Sequence, residues 1–242
     1  MEKEMSLNYE QIAEFRDKLF SEIDENADCY YKDDIQRLKT DDWYCQKFIL
    51  HQRKSVEKGV NMAKEEIKWR KEFGVKEITE HMLPQELFQR DCVHPCNKDK
   101  WGRTVLHIKV KNLRKTEPGE EEVLEKFMVY WVEKIVTENK GAGISVFIDC
   151  TGAGLKNANL DIVKFSKQLF TYHYPKITGF FLVYNMPWIL SAIWSLVKSW
   201  LPKYVVDMIK FVDKTTILEF IDEKDLPAEL GGKLISSKCT TD

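Results

Sequence analysis

Along the first hundred residues the apolar positions recur at three- and four-residue intervals. In NYEQIAEFRDKLFSEI, Ile12, Phe15, Leu19 and Ile23 fall on one helical face. DDIQRLKTDDWYCQKFIL repeats the habit with Ile35, Leu38, Trp43, Phe48 and Ile49. SVEKGVNMAKEEIKWRKEFG follows, with Ser55 placed as an N-cap and Gly74 placed to end the helix. Residues 1–95 therefore read as a helical N-terminal subdomain, and 96–242 as a separate α/β domain.

The period changes at NKDKWGRTVLHIKVK. Asn97 to Gly102 reads as a turn, and Thr104 to Val110 alternates as a half-buried strand. After the loop RKTEPGEE, EVLEKFMVYWVEKIVTEN has the length and spacing of a long helix, closed by Gly141 and Gly143. ISVFIDC (144–150) is a continuous apolar run, as expected of a strand covered on both faces. A helix from Leu160 to Tyr172 and a second buried strand, FFLVYNM, complete a strand–helix–strand unit. Such a unit favours parallel strands with a right-handed crossover. TTILEFI is a candidate last strand.

Between these elements lies YNMPWILSAIWSLVKSWLPKY (184–204), with Trp188, Trp194 and Trp200 inside thirteen positions. Its apolar part, Pro187 to Leu201, is shorter than the about 20 residues a bilayer span needs. At 100° per residue the tryptophans point three ways, whereas Ser191, Ser195, Lys198 and Ser199 form one polar stripe. The remaining apolar arc is too wide for one contact. It fits a core helix buried on most sides, or a helix with one side on a cavity and a tryptophan-bearing edge toward membrane.

Composition narrows the function classes. The 242 residues are 43% hydrophobic and 12% aromatic, ample for a packed core, and the 31% charged residues sum to −2. Basic and acidic residues are interleaved, so nothing resembles a nucleic-acid footprint. The charged N-terminus lacks a signal-peptide core, which places the chain in the cytoplasm and leaves Cys29, Cys45, Cys92, Cys96, Cys150 and Cys239 as expected reduced thiols.

Motifs for chemistry are weak. TGAGLKN lacks the third glycine of a dinucleotide fingerprint, and no GxxxxGK[ST] occurs. CVHPC gathers Cys92, His94 and Cys96, but no second ligand pair follows, so no metal is expected. Neither GxSxG nor HExxH is present. His107 and His173 read as packed side chains. Asp149 is the best lone carboxylate and has no nameable acid or base partner, so no catalytic residue is assigned.

Five stretches in order resemble the CRAL-TRIO lipid-carrier family: FILHQRKSVEKGVNMAKEEIKWRKEFG, DKWGRTVLHIKV, ISVFIDCTGAG, YHYPKITGFFLVYNMPW and LPAELGG. They cover nearly all of residues 34–232. The resemblance implies an α/β CRAL-TRIO fold, in which a helical N-terminal part precedes a mostly parallel sheet flanked by helices. It also implies a hydrophobic pocket under a mobile gate helix, for which 184–204 stands. The implied pocket wall is Leu106, Ile108, Phe127, Tyr130, Val146, Ile148, Phe181, Ile189, Ile193 and Leu196. The implied membrane-docking residues are Trp188, Trp194, Lys198, Trp200, Lys203 and Lys210.

The resemblance further implies a non-enzymatic monomer that binds, transfers or senses a lipid, needs no cofactor beyond that ligand and docks peripherally on membranes or lipid droplets. Family members that exchange phosphatidylinositol carry an acidic residue just after the YP and a basic residue late in the gate. Here Lys176 and Met208 stand there, so inositol-lipid exchange does not carry over and the headgroup stays open. Two rivals remain: an interaction module whose cavity is filled by its own side chains, and an α/β enzyme with a polar cleft near Asp149 or His107.

Overall fold

The computed structural model describes residues 9–139 and 141–235. Packing divides the chain into two compact units, one running through Ile78 and including Gln168–Lys176, the other comprising Thr79–Lys167 and the chain from Ile177.

The first unit is helical: α1 (Tyr9–Glu22), α2 (Lys32–Thr40), α3 (Asp42–His51) and α4 (Val56–Phe73). Its core is the set that helical spacing selected, with Phe15, Leu19, Leu38, Phe48, Val60 and Ile67 fully enclosed. The Ser55 hydroxyl accepts from the Lys58 amide at the start of α4. Gly74, at φ 71°, ends that helix in the left-handed conformation that lets its N–H reach the Arg70 and Lys71 carbonyls. Charges are buried here only in partnership. Arg70 Nε donates to Asp34 at 2.8 Å, and the Tyr44 hydroxyl donates to Glu66 at 3.0 Å beside the Lys47 ammonium. The same unit contains a π-helical turn, Leu169–His173, whose His173 ring stacks on Trp69 at 3.7 Å. Burial pushes the His173 pKa down to about 4, and neither ring nitrogen has a hydrogen-bond partner among the described residues.

The second unit begins with the short α5 (Gln85–Gln89) and holds a five-stranded sheet in the order β1 (Val93–Lys98), β2 (Thr104–Lys109), β3 (Ile144–Asp149), β4 (Thr178–Tyr184), β5 (Ile209–Val212). Strands β2 to β5 are parallel, and β1 is antiparallel to β2. α6 (Glu121–Glu138) joins β2 to β3, and α7 (Leu160–Gln168) leads from β3 toward β4. After β4 come a 3-10 turn at Trp188–Leu190, then α8 (Ser191–Trp200) and α9 (Lys203–Met208). The fold is thus the expected α/β arrangement with a mostly parallel sheet flanked by helices.

Several boundaries differ from those the sequence suggested. The domain boundary at 95/96 falls inside β1, because helical periodicity reports that 85–89 is a helix but not whose core it joins. Asn97 and Lys98 are strand, and the turn starts at Asp99, whose Oδ1 accepts from the Trp101 and Arg103 amides. β2 is buried over its first four residues rather than alternating, since both of its faces are covered there. TTILEFI is no strand. Asp213 Oδ1 accepts from the Thr215 and Thr216 amides and folds Thr216–Glu219 into a 3-10 turn, and the last strand is the earlier IKFV. The four free cysteines among the described residues are Cys29, Cys45, Cys92 and Cys150, but Cys96 is disulfide-bonded, contrary to the expectation of reduced thiols throughout. Cys239 lies outside the described residues.

DKWGRT forms the knot at one end of the sheet. Asp99 Oδ2 accepts from Arg103 Nε at 2.8 Å and from the Ser145 hydroxyl at 2.7 Å, and that hydroxyl in turn accepts from the Phe180 amide. The Arg103 guanidinium lies over the Trp101 and Phe180 rings, 5.0 and 4.9 Å from their centroids. It passes so close to Gly179 that a Cβ there would sit 2.3 Å from it, and only glycine leaves that room.

Candidate functional site

In a sheet the side chains of paired residues line up across the strands. On one face two apolar rows cross all five strands: Pro95–Leu106–Val146–Phe181–Ile209 and Val93–Ile108–Ile148–Val183–Phe211. Leu106 and Val146 are buried, as is Phe127 of α6. Phe181 and Ile209 of the first row and Ile108 and Ile148 of the second remain half-buried and Phe211 is 50% exposed, whereas Val93 and Val183 are buried, so the face is covered only in part. The opposite face is closed: Val105, Phe147, Leu182, Tyr184 and Val212 pack with Ile217, Ile221, Leu226 and Leu230 of the C-terminal turns.

At the β1 edge of the open face lies a cavity of about 30 Å³ between the sheet, α5, α6 and α7. Leu87, Val93, Ile108, Leu124, Phe127 and Met128 give it an apolar interior. Its polar lining residues include Arg114, which donates from both terminal guanidinium nitrogens to the Glu120 carboxylate and holds that carboxyl below its usual range. Arg90 is likewise spent on Glu86.

At the β5 edge the Trp194 ring of α8 meets Phe211 edge-on at 5.3 Å. No residue of α8 is buried, which rules out the reading of this helix as a core helix buried on most sides. Trp188, just before it, is 85% exposed, and Ile189 and Leu196 are exposed too, while Ile193 is half-buried. Trp200 carries the Lys164 ammonium of α7 over its ring at 5.7 Å. The helix's polar stripe satisfies itself in part: the Ser195 hydroxyl donates to the Ser191 carbonyl and the Ser199 hydroxyl to that of Leu196.

The structure therefore brings Leu106, Ile108, Val146, Ile148 and Phe181 onto one face, with Ile108 and Phe127 also on the cavity. Tyr130 instead sits edge-on to Phe88 of α5, and its hydroxyl donates to Glu80 at 3.1 Å. Of the lysines, Lys198 and Lys203 are exposed, Lys203 being paired with Asp207, and Lys210 alternates to the face opposite Phe211, in register with Leu182. Sequence reasoning missed Val183, Ile209 and Phe211 of the floor and Leu124 and Met128 of the cavity. Val183 was available from the alternation of β4, two residues beyond Phe181, but Ile209 and Phe211 depended on recognising a four-residue strand.

The candidate chemical motifs have structural employment. Asn157, buried in TGAGLKN, donates from Nδ2 to the Lys111 and Leu113 carbonyls, and Asn159 does the same to Arg114, so the motif staples the loop after β2. His107 is buried, its Nε2 lies 2.8 Å from Asn97 Oδ1, and burial pushes its pKa down to about 3. Asp149 Oδ1 accepts from the Thr151 amide. In CVHPC, His94 stands 3.0 Å from Asp91. Among the described residues no cluster of His, Cys, Asp or Glu is placed to hold a metal ion, and no helix is long and apolar enough to cross a membrane.

The fold and this face define an α/β unit with a mostly parallel sheet, one apolar face under helices and an exposed amphipathic helix at its edge. A family model of the CRAL/TRIO domain matches residues 89–232, and the chain belongs to that family. It is 27% identical over 197 residues to CRAL-TRIO domain-containing protein C3H8.02 of Schizosaccharomyces pombe, covering 77% of this chain and 44% of that one. It is 28% identical over 137 residues to phosphatidylinositol transfer protein CSR1 of Eremothecium gossypii, covering 56% and 31%. Sec14 cytosolic factor of Schizosaccharomyces pombe is 24% identical over 225 residues, covering 82% and 78%. The chain thus spans less than half the length of the first two relatives. The crystal structure of Sfh5 matches the fold with a TM-score of 0.59 at 16% identity, over 89% of this chain and 85% of that one.

Proposed function

We propose that this chain binds a lipid against the apolar face of its sheet and carries or senses it without chemical change. The observation that supports this best is the partial exposure of Ile108, Ile148, Phe181 and Phe211 on one face of the sheet, with α8 exposed at its β5 edge. Aliphatic side chains on central strands are normally sealed by neighbouring side chains, and here the remaining surface suits a hydrocarbon chain. Relatives named as phosphatidylinositol transfer proteins support the same class of ligand. Because Lys176 and Met208 stand where inositol-lipid exchangers carry an acidic and a basic residue, the headgroup of the proposed ligand stays open. We further propose kinship with the CRAL-TRIO module of motile sperm domain-containing protein 2, which the wording of the five stretches above resembles.

Extraction makes a stiff demand. About 30 methylenes at about 0.8 kcal/mol each require on the order of 24 kcal/mol of replacement burial. A gate that opens only on a surface avoids exposing the chains to water. We assign that gate to α8, with the protein a cytoplasmic monomer that docks on membranes or lipid droplets through Trp188, Trp194 and Trp200, aided by Lys198 and Lys203. Trp188→Ser is expected to lower flotation with phosphatidylcholine–phosphatidylserine vesicles about tenfold, since an exposed indole favours the headgroup region. Unchanged flotation of Trp188→Ser and of Trp200→Ser rejects docking through this helix.

A second reading has its own support: Leu106, Val146 and Phe127 are already sealed by protein, and the cavity beside Ile108 is only about 30 Å³. That state suits an interaction module with a filled cavity. Native mass spectrometry of freshly purified protein, followed by lipid extraction, separates the two. A stoichiometric lipid adduct is expected; a mass that stays bare after incubation with mixed vesicles favours the interaction module.

A further inference from the structure

We infer that the carboxyl edge of the sheet is a docking surface for an anionic bilayer, with the TGAGLKN turn as a second prong beside Trp188. The inference rests on the docking reading above and adds to it residues that lie outside α8. Lys109, Asp149 and Tyr184 are the last residues of β2, β3 and β4 and pair with one another in register. The three segments that follow therefore leave the sheet at one level. Each folds into a 3-10 turn: Val110–Asn112, Leu155–Asn157 and Trp188–Leu190.

Side-chain amides tie these turns together. Asn157 Nδ2 donates to the Lys111 and Leu113 carbonyls, and Asn185 Nδ2 donates to the Thr151 hydroxyl at 3.0 Å. The Cys150 amide also donates to the Tyr184 carbonyl at 2.9 Å. An edge braced in this way loses little conformational freedom when a partner covers it. What it presents is apolar and basic. Leu155 is 53% exposed on a turn anchored by the buried Asn157, and Trp188 is 85% exposed. Lys111 and Lys156 are exposed, and neither has a carboxylate partner among the described residues. Of the carboxylates nearby, Asp149 accepts from the Thr151 amide and Asp91 pairs with Lys109.

An exposed leucine and indole flanked by unpaired ammonium groups match a surface of anionic headgroups over hydrocarbon. Three turns at one level suit a flat partner. A second copy of the chain fits poorly, because a two-fold contact through this edge would crowd the lysines of both copies together.

The test is flotation with vesicles of phosphatidylcholine alone and of phosphatidylcholine with phosphatidylserine. Leu155→Ser is expected to lower flotation about fivefold on both, since roughly half a leucine side chain loses its burial. Leu155→Trp should raise flotation on both, and a gain cannot come from misfolding. Lys111→Gln combined with Lys156→Gln is expected to cost about thirtyfold on the phosphatidylserine vesicles and little on the neutral ones, a difference that high salt erases. Equal losses on the two vesicle types for the lysine pair overturn the anionic partner. Wild-type flotation of Leu155→Ser, with Trp188→Ser lowered, overturns the second prong and leaves docking through Trp188 standing. Wild-type flotation of every variant, Trp188→Ser included, overturns both.

Discussion

Replacing Asp99 with alanine is expected to destabilise the sheet unit by about 3–5 kcal/mol, the usual cost of removing one partner of a buried ion pair. The Asp99 carboxylate is fully buried and accepts from two backbone amides, the Arg103 guanidinium and the Ser145 hydroxyl. Without it Arg103, itself largely buried, keeps only its contacts over Trp101 and Phe180, and Ser145 loses the acceptor that holds its hydroxyl toward β4. Asp99→Asn retains shape and part of the acceptor capacity and should cost less. Urea unfolding followed by circular dichroism measures both. A loss under about 1 kcal/mol for Asp99→Ala would mean that the knot is ornamental to stability.

The second large effect is on pH. Burial, then the neighbouring His94 and Lys109, push the His107 pKa from its ordinary 6.5 down to about 3. The folded protein therefore keeps this imidazole neutral where the unfolded chain protonates it. Between those two values the unfolded state holds one proton more, and unfolding free energy rises with pH by about 1.4 kcal/mol per unit. The contribution is fully present above about pH 6.5 and fades as pH falls toward 3, on the order of 5 kcal/mol in all. His173, lowered to about 4 by burial, acts in the same direction. Stability curves from pH 6 to pH 4 on wild type and His107→Gln test this. The variant should lose about 1.4 kcal/mol per unit from the slope; parallel slopes would show that His107 does not titrate between the two states.

Neither effect bears on ligand chemistry, and that separation is informative. The residues with the strongest polar demands, Asp99, His107, Asn157 and Glu66, are all committed to holding loops, strands and helices. The surface left over is apolar.

How much of this the chain declares on its own depends on whether the signal is local. Helical spacing is a property of an element with itself, so Ile12, Phe15 and Leu19 announce α1, and Ser55 and Gly74 announce the ends of α4, whatever they pack against. A continuous apolar run such as ISVFID must be covered on both faces, and that places β3 between layers before any coordinates. The wide apolar arc of 184–204 likewise excluded a single contact.

Tertiary structure alone decided the rest. β5 is four residues long, too short for a period, and exists because Ile209–Val212 pairs with β4; it carries Phe211, on which Trp194 rests. The allegiance of α5 to the sheet unit, and of 168–176 to the helical one, is a matter of which core lies nearby. Lys210 and Phe211 are adjacent in the chain yet face opposite sides of the sheet, because the pleat alternates and register fixes which side is inner. The sequence by itself thus determined which segments are apolar and with what period. Register and long-range pairing, which no local pattern encodes, determined which of those side chains share the open face and which one was left uncovered.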